Sequence, residues 1–165
     1  MQGDIIESCP IFFPSSSVHI NDVEVRTKVT YYDVIKMTQS CDLEQKKADT
    51  VLVCPFYSLS QAEEMFPVLK STENKNAIRE GVIPAFHLLN KCELKDFNKG
   101  YLIVNFRDVY GIPYNLLQEL AVENEKRLRL LSPYREHLSQ AFARFFMRVG
   151  LPIGIPKFKS KKSKT

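Results

Sequence analysis

Five consecutive side chains, Thr-Gln-Ser-Cys-Asp, carry the densest set of reactive and polar groups in this sequence. They end a segment, "DVIKMTQ", that is typical of a β-strand. Strand ends and loops commonly carry binding sites, and these groups suit hydrogen bonding to phosphates or base edges. Thr38, Cys41 and Asp42 are therefore candidate catalytic residues, and Gln39 and Ser40 are candidate nucleic-acid-binding residues.

The thiol of Cys41 is not activated by its neighbour Asp42 in the sequence. Adjacent side chains on a strand point to opposite faces, and a nearby carboxylate raises the pKa of a thiol. A nucleophilic cysteine needs a histidine or a cation, which His87 or His137 could supply only through the fold. Three interpretations stay open: Asp42 caps a turn above a packed Cys41, the pair contributes to binding, or Cys41 is a nucleophile.

A basic stripe near the C-terminus is the second candidate feature. His137, Arg144 and Arg148 fall within about 20° of each other in a helical projection. They are predicted to bind a phosphate backbone. The alternative is that they form a solvent-exposed side of the helix, where the aliphatic parts of the arginine side chains cover apolar surface. No histidine and cysteine pair has the tight spacing of a zinc site, so neither a metal nor another cofactor is predicted.

The terminal helix that carries this stripe is predicted over residues 132–149. Ser132 is expected to cap it, Pro133 suits its first turn, and Gly150 ends it. One apolar stripe runs along the helix and is either core or an interface. Its members are Tyr134, Leu138, Ala141, Phe142, Phe145 and Val149.

The first 57 residues read as about five short strands, which is enough for a small barrel. "DVIKMTQ" and the apolar "DTVLVCPFY" are two of them, "CPIFFPSSS" reads as a loop, and Asn21-Asp22 suits a hairpin turn. Mixed strands and helices follow. The sequence therefore predicts a single α+β domain over residues 1–156, with a small β-barrel at 1–57 and a helical part at 114–150.

Charge is concentrated at the end of the chain. The net charge is +4, but five of the 23 basic residues lie in the tail 157–165, which leaves 18 basic against 19 acidic residues before it. We expect this tail to be disordered. It either increases the solubility of the protein or binds nucleic acid weakly through its lysines. No apolar run approaches the ~20 residues that span a bilayer, and no secretory signal is visible, so a cytoplasmic protein without a membrane partner is expected.

Three N-terminal segments, "GDII", "DVIKMTQ" and "TVLVCPF", resemble the MazF/PemK group of toxin endoribonucleases. The matching positions are Gly3, Asp4, Ile5, Thr38, Val53 and Pro55. The resemblance implies an SH3-like barrel from a bacterial or phage toxin–antitoxin or defence system that acts on RNA. It covers only the N-terminal third of the chain.

One departure from the family bears on catalysis. The arginine and proline that open the family's second element correspond here to Tyr32 and Asp33, and Arg26 lies too far upstream to replace the arginine. The expected function is RNA binding, with cleavage by Thr38 and Asp42 beside Arg144 or Arg148 left open. The alternative is a non-catalytic module that docks a protein partner, or a second copy, through helix 132–149.

Overall fold

The computed structural model describes residues 1–14, 27–45, 48–95, 97–123 and 128–147. It confirms the α+β class, with antiparallel strands and five α-helices in that part of the chain. The strands are β1 (Asp4–Pro14), β2 (Thr27–Lys36), β3 (Thr50–Ser58), β4 (Phe86–Leu89), β5 (Cys92–Leu94), β6 (Phe97–Lys99), β7 (Leu102–Asn105), β8 (Tyr110–Pro113) and β9 (Leu128–Arg129). The α-helices are α1 (Ser40–Glu44), α2 (Leu59–Met65), α3 (Thr72–Arg79), α4 (Tyr114–Glu123) and α5 (Tyr134–Phe146).

The main sheet is antiparallel, with the strand order β4-β7-β3-β2-β1-β9, and β8 also pairs with β3. Strands β5 and β6 form a separate hairpin. The hydrogen-bonded path of the described strands is open, so an SH3-like closure stays a prediction. In the part of the chain that the structure describes, no helix is long and apolar enough to cross a membrane.

Strand β3 is the central strand of the sheet, because β2 pairs with one of its edges while β7 and β8 pair with the other. Its side chains alternate between the two faces, as a pleated strand requires. Val51 and Val53 join a buried cluster with Leu43 of α1 and Leu117 of α4. Cys54 and Phe56 join the cluster on the opposite face, which α5 covers.

The predicted loop at "CPIFFPSSS" is wrong for its first six residues, which extend β1 to Pro14. Cys9 and Ile11 are buried, so the segment alternates like a half-buried strand despite its prolines. A register shift between Ile6 and Cys9 includes Ser8 in the left-handed region, at φ 51°. Such a bulge lets an irregular strand continue its pairing. The predicted turn at Asn21-Asp22 lies outside the described residues.

Helix α5 confirms the predicted terminal helix with shorter limits. Pro133 occupies the N-cap position and no side chain caps the helix, so the prediction of Ser132 as the cap is wrong. Leu138 is fully buried, and Ala141, Phe142 and Phe145 pack against the same cluster. The apolar stripe is therefore core over these residues. Val149 lies outside the described residues.

Candidate functional site

The Thr38–Asp42 cluster forms the turn after β2 together with the first turn of α1, which begins at Ser40. The Thr38 hydroxyl accepts a hydrogen bond of 2.7 Å from the amide of Leu52 on β3. The Ser40 hydroxyl accepts one of 2.9 Å from the Gln2 amide, and the Gln2 side chain donates to the Met37 carbonyl at 2.9 Å. Two of the five polar side chains thus tie the turn to β3 and to the N-terminal segment.

Replacing Thr38 with valine is expected to lower the free energy of unfolding by about 1 kcal/mol, because the Leu52 amide loses its acceptor. Urea unfolding followed by circular dichroism measures this loss. Gln39→Ala is the matched control in the same turn and should change stability by less than about 0.5 kcal/mol, since Gln39 is exposed. Equal losses in the two variants would contradict the structural role of the Thr38 hydroxyl.

Gln39, Cys41 and Asp42 form the outward part of the turn. The Cys41 thiol is exposed and lies 3.6 Å from Gln39 Oε1 and 3.8 Å from Asp42 Oδ1. Leu43, not Cys41, is the buried residue here, so the interpretation with a packed Cys41 is wrong. Among the described residues no group of three histidine, cysteine or acidic side chains could hold a metal ion.

The described residues of the predicted basic stripe lie on α5, not on the turn. His137 and Arg144 are exposed on α5, whereas Arg148 lies outside the described residues. An Arg144 guanidinium nitrogen comes within 3.9 Å of where a Cβ on Gly81 would lie, beyond the end of α3. Because α1 and α5 pack on opposite faces of the sheet, Thr38 and Asp42 do not share a site with Arg144.

An aromatic cluster of Phe13, Tyr32 and Tyr110 is a candidate site that the sequence did not indicate. Tyr32 on β2 and Tyr110 on β8 approach from opposite edges of β3 and stack with ring centroids 5.6 Å apart. Phe13 meets Tyr110 edge-on at 5.7 Å. All three rings are partly exposed.

A fixed carboxylate accompanies the aromatic cluster. Asp108 Oδ2 accepts a hydrogen bond of 2.7 Å from the side-chain amide of Asn105, which is almost completely buried. Burial, with a smaller contribution from the Asp108 charge, raises the pKa of Tyr57 to about 12. The same two causes raise the pKa of Tyr110. Like ordinary tyrosines, whose pKa is about 10, these phenols are protonated at neutral pH and can donate hydrogen bonds.

A cavity of about 380 Å³ is the third feature, and it lies between the first strands and α4. Asp4 and Lys36 line it although each is only 7% exposed. Charged side chains are seldom buried to this degree unless they are paired. Periodicity indicated Asp4 and Lys36 only as strand residues, because their burial depends on α4, far along the chain.

The comparisons with known proteins identify no relative of this chain. No protein-family model, no curated protein and no solved structure matches it.

Proposed function

We propose that this protein binds single-stranded RNA through the aromatic cluster, as a MazF/PemK-like barrel protein of a bacterial or phage toxin–antitoxin or defence system. The observation that carries the proposal is the stacked pair Tyr32 and Tyr110, partly exposed on the sheet beside Asp108. Single-stranded RNA is commonly recognised by stacking its splayed bases on aromatic side chains, each stack contributing about 1–3 kcal/mol.

The groups around the rings suit the polar edges of a base. Asp108 can accept hydrogen bonds from base amino and imino groups, while the protonated phenol of Tyr110 can donate to base carbonyls. Arg107 is exposed, and its guanidinium lies 5.0 Å from the centre of the Phe86 ring. An arginine positioned in this way next to Asp108 is suited to bind a phosphate of the RNA backbone.

The residues of this protein support RNA binding better than RNA cleavage. The resembled family needs an arginine where this chain has Tyr32, and the raised pKa of Tyr110 makes that phenol a poor proton donor or acceptor in catalysis at neutral pH. If the protein also cleaves RNA, Thr38, Cys41 and Asp42 remain the proposed catalytic residues. They would act without Arg144, which lies on the other face.

Replacing Tyr32 with alanine is expected to weaken RNA binding about tenfold, because one stacking surface is lost. Fluorescence anisotropy with a short labelled single-stranded RNA of mixed sequence measures the affinity. Tyr31→Ala is the matched control: Tyr31 neighbours Tyr32 on β2, points to the opposite face and is 67% exposed. It should leave the affinity within about twofold.

The same samples, run on a denaturing gel beside Asp42→Ala, separate binding from cleavage. Intact RNA with wild type supports a recognition module, whereas cleavage lost in Asp42→Ala assigns catalysis to the turn. Equal affinities for Tyr31→Ala and Tyr32→Ala would overturn the aromatic cluster as the binding site. The alternative, docking through helix 132–149, has less support because Leu138 and its neighbours already pack in the core.

A further inference from the structure

Three charged residues of neighbouring strands lie at the cavity, where Asp4 and Lys36 line it and Arg129 lies beside Asp4, outside the lining. Asp4 pairs with Arg129 of β9, and it lies one residue beyond the Ile5–Ile35 pair of β1 with β2, on the side of Lys36. The Gly3 amide donates to the Lys36 carbonyl at 2.9 Å, so the two chain segments stay hydrogen-bonded beside Asp4. Directly opposed residues of neighbouring strands share one face of a sheet. Three adjacent strands thus present a cation, an anion and a cation side by side.

The single carboxylate in this row is already engaged. Asp4 Oδ1 accepts from Arg129 Nε at 2.5 Å, and its other oxygen accepts from the Met1 amino group. Glu7 also lines the cavity, but it binds Lys99 at 2.5 Å. Among the described residues no carboxylate forms an ion pair with Lys36. Asp4 therefore already has two cationic partners, while Lys36, which is 7% exposed, has no carboxylate partner among the described residues.

The rest of the lining combines apolar side chains with the polar side chains of Glu7 and Gln118. It comes from α4 and from the strands beside the charged residues. The apolar lining residues include Ile5, Ile6, Leu117, Leu120, Ala121 and Leu128. A volume of about 380 Å³ is at the small end of the range for small-molecule sites, which are typically mostly apolar with a few placed polar groups.

We propose that this cavity binds a small carboxylate with an apolar body. The head group would pair with Lys36, and the body would lie beneath α4 against Leu117 and Ala121. A charged ligand offsets the cost of the buried ammonium, since a buried charge is stabilised by an opposite charge in hydrogen-bonding contact. This site goes beyond the proposed RNA function and does not depend on it.

The probe for the test is octanoate, with binding to the whole chain measured by isothermal titration calorimetry. Acetate lacks the apolar body and 1-octanol lacks the charge, so each should bind at least about tenfold more weakly than octanoate. Lys36→Met keeps an unbranched side chain one atom shorter and removes the charge, and should weaken octanoate binding about tenfold. Lys91→Met, at an exposed lysine, is the matched control and should bind like wild type.

Three results would overturn the proposal: no octanoate binding by wild type, equal affinity for 1-octanol, or unchanged binding by Lys36→Met. If Lys36→Met does not fold, Ala121→Phe decides, because its ring fills the cavity from α4. Retained octanoate binding in Ala121→Phe would then contradict the proposal. RNA binding in these variants is expected to match wild type, so failure here is distinguishable from failure of the proposed function.

Discussion

Replacing Leu138 with alanine is expected to lower the free energy of unfolding by about 2–5 kcal/mol. Leu138 is fully buried and belongs to the cluster that joins α5 to β2, β3 and β7. Its truncation removes apolar contacts and leaves a cavity that the neighbouring strands can fill only in part. Urea unfolding, followed by circular dichroism at neutral pH, measures the loss.

Leu131→Ala makes the same chemical change at a side chain that is 73% exposed, just before α5. It should cost less than about 0.5 kcal/mol, because few contacts are lost. The difference between the two variants therefore measures burial and not the change of residue type. A small effect of Leu138→Ala would contradict the assignment of α5 to the core, and would favour helix 132–149 as a docking surface.

Acidification is expected to destabilise the protein strongly through His87. Burial, with a smaller contribution from His137, lowers the pKa of His87 from 6.5 to about 4. The unfolded chain therefore binds a proton between these two values while the folded protein does not. Stability is lost as the pH falls below 6.5, and the loss levels off below 4. Its full size is roughly 3 kcal/mol.

The replacement His87→Phe isolates this contribution from that of the carboxylates. His87 stacks on Phe106 with ring centroids 6.2 Å apart, and phenylalanine keeps the ring while removing the titration. Unfolding free energies at pH 7 and pH 4 should differ less in this variant than in wild type. His137→Gln is the control and should keep most of the pH dependence. Equal pH dependence in wild type and His87→Phe would show that His87 is not protected from protonation.

The elements that were predicted best are those with strong local patterns. Helix α5 is predicted by apolar residues that recur with the helical period, and β3 by a nearly continuous apolar run. Both patterns are formed by residues close together in the sequence. The strand at Cys9–Pro14 was missed because prolines and serines ordinarily interrupt strands. The segment forms a strand because it pairs with β2, and a bulge at Ser8 lets this pairing continue so that Cys9 and Ile11 are buried.

The candidate sites were predicted less well for a related reason. The sequence indicates the turn Thr38–Asp42 because its polar groups are consecutive. It does not indicate that the Thr38 hydroxyl accepts a hydrogen bond from the Leu52 amide, or that the Ser40 hydroxyl accepts one from the Gln2 amide, because these partners are distant in the sequence. His137 and Arg144 lie on the predicted terminal helix, whereas Arg148 lies outside the described residues. Whether these side chains share a face with the turn depends on which face of the sheet each helix covers, and no local pattern encodes that choice.

Composition, charge and hydrophobic period were enough to establish the α+β class, the terminal helix and a polar turn after β2. The stacking of Tyr32 on Tyr110 and the row Lys36–Asp4–Arg129 depended on the folded chain. Each joins residues about 30 to 125 positions apart through strand register and the packing of α4. Register and long-range packing are set by the summed contacts of whole elements, and they are not written in any short stretch of sequence.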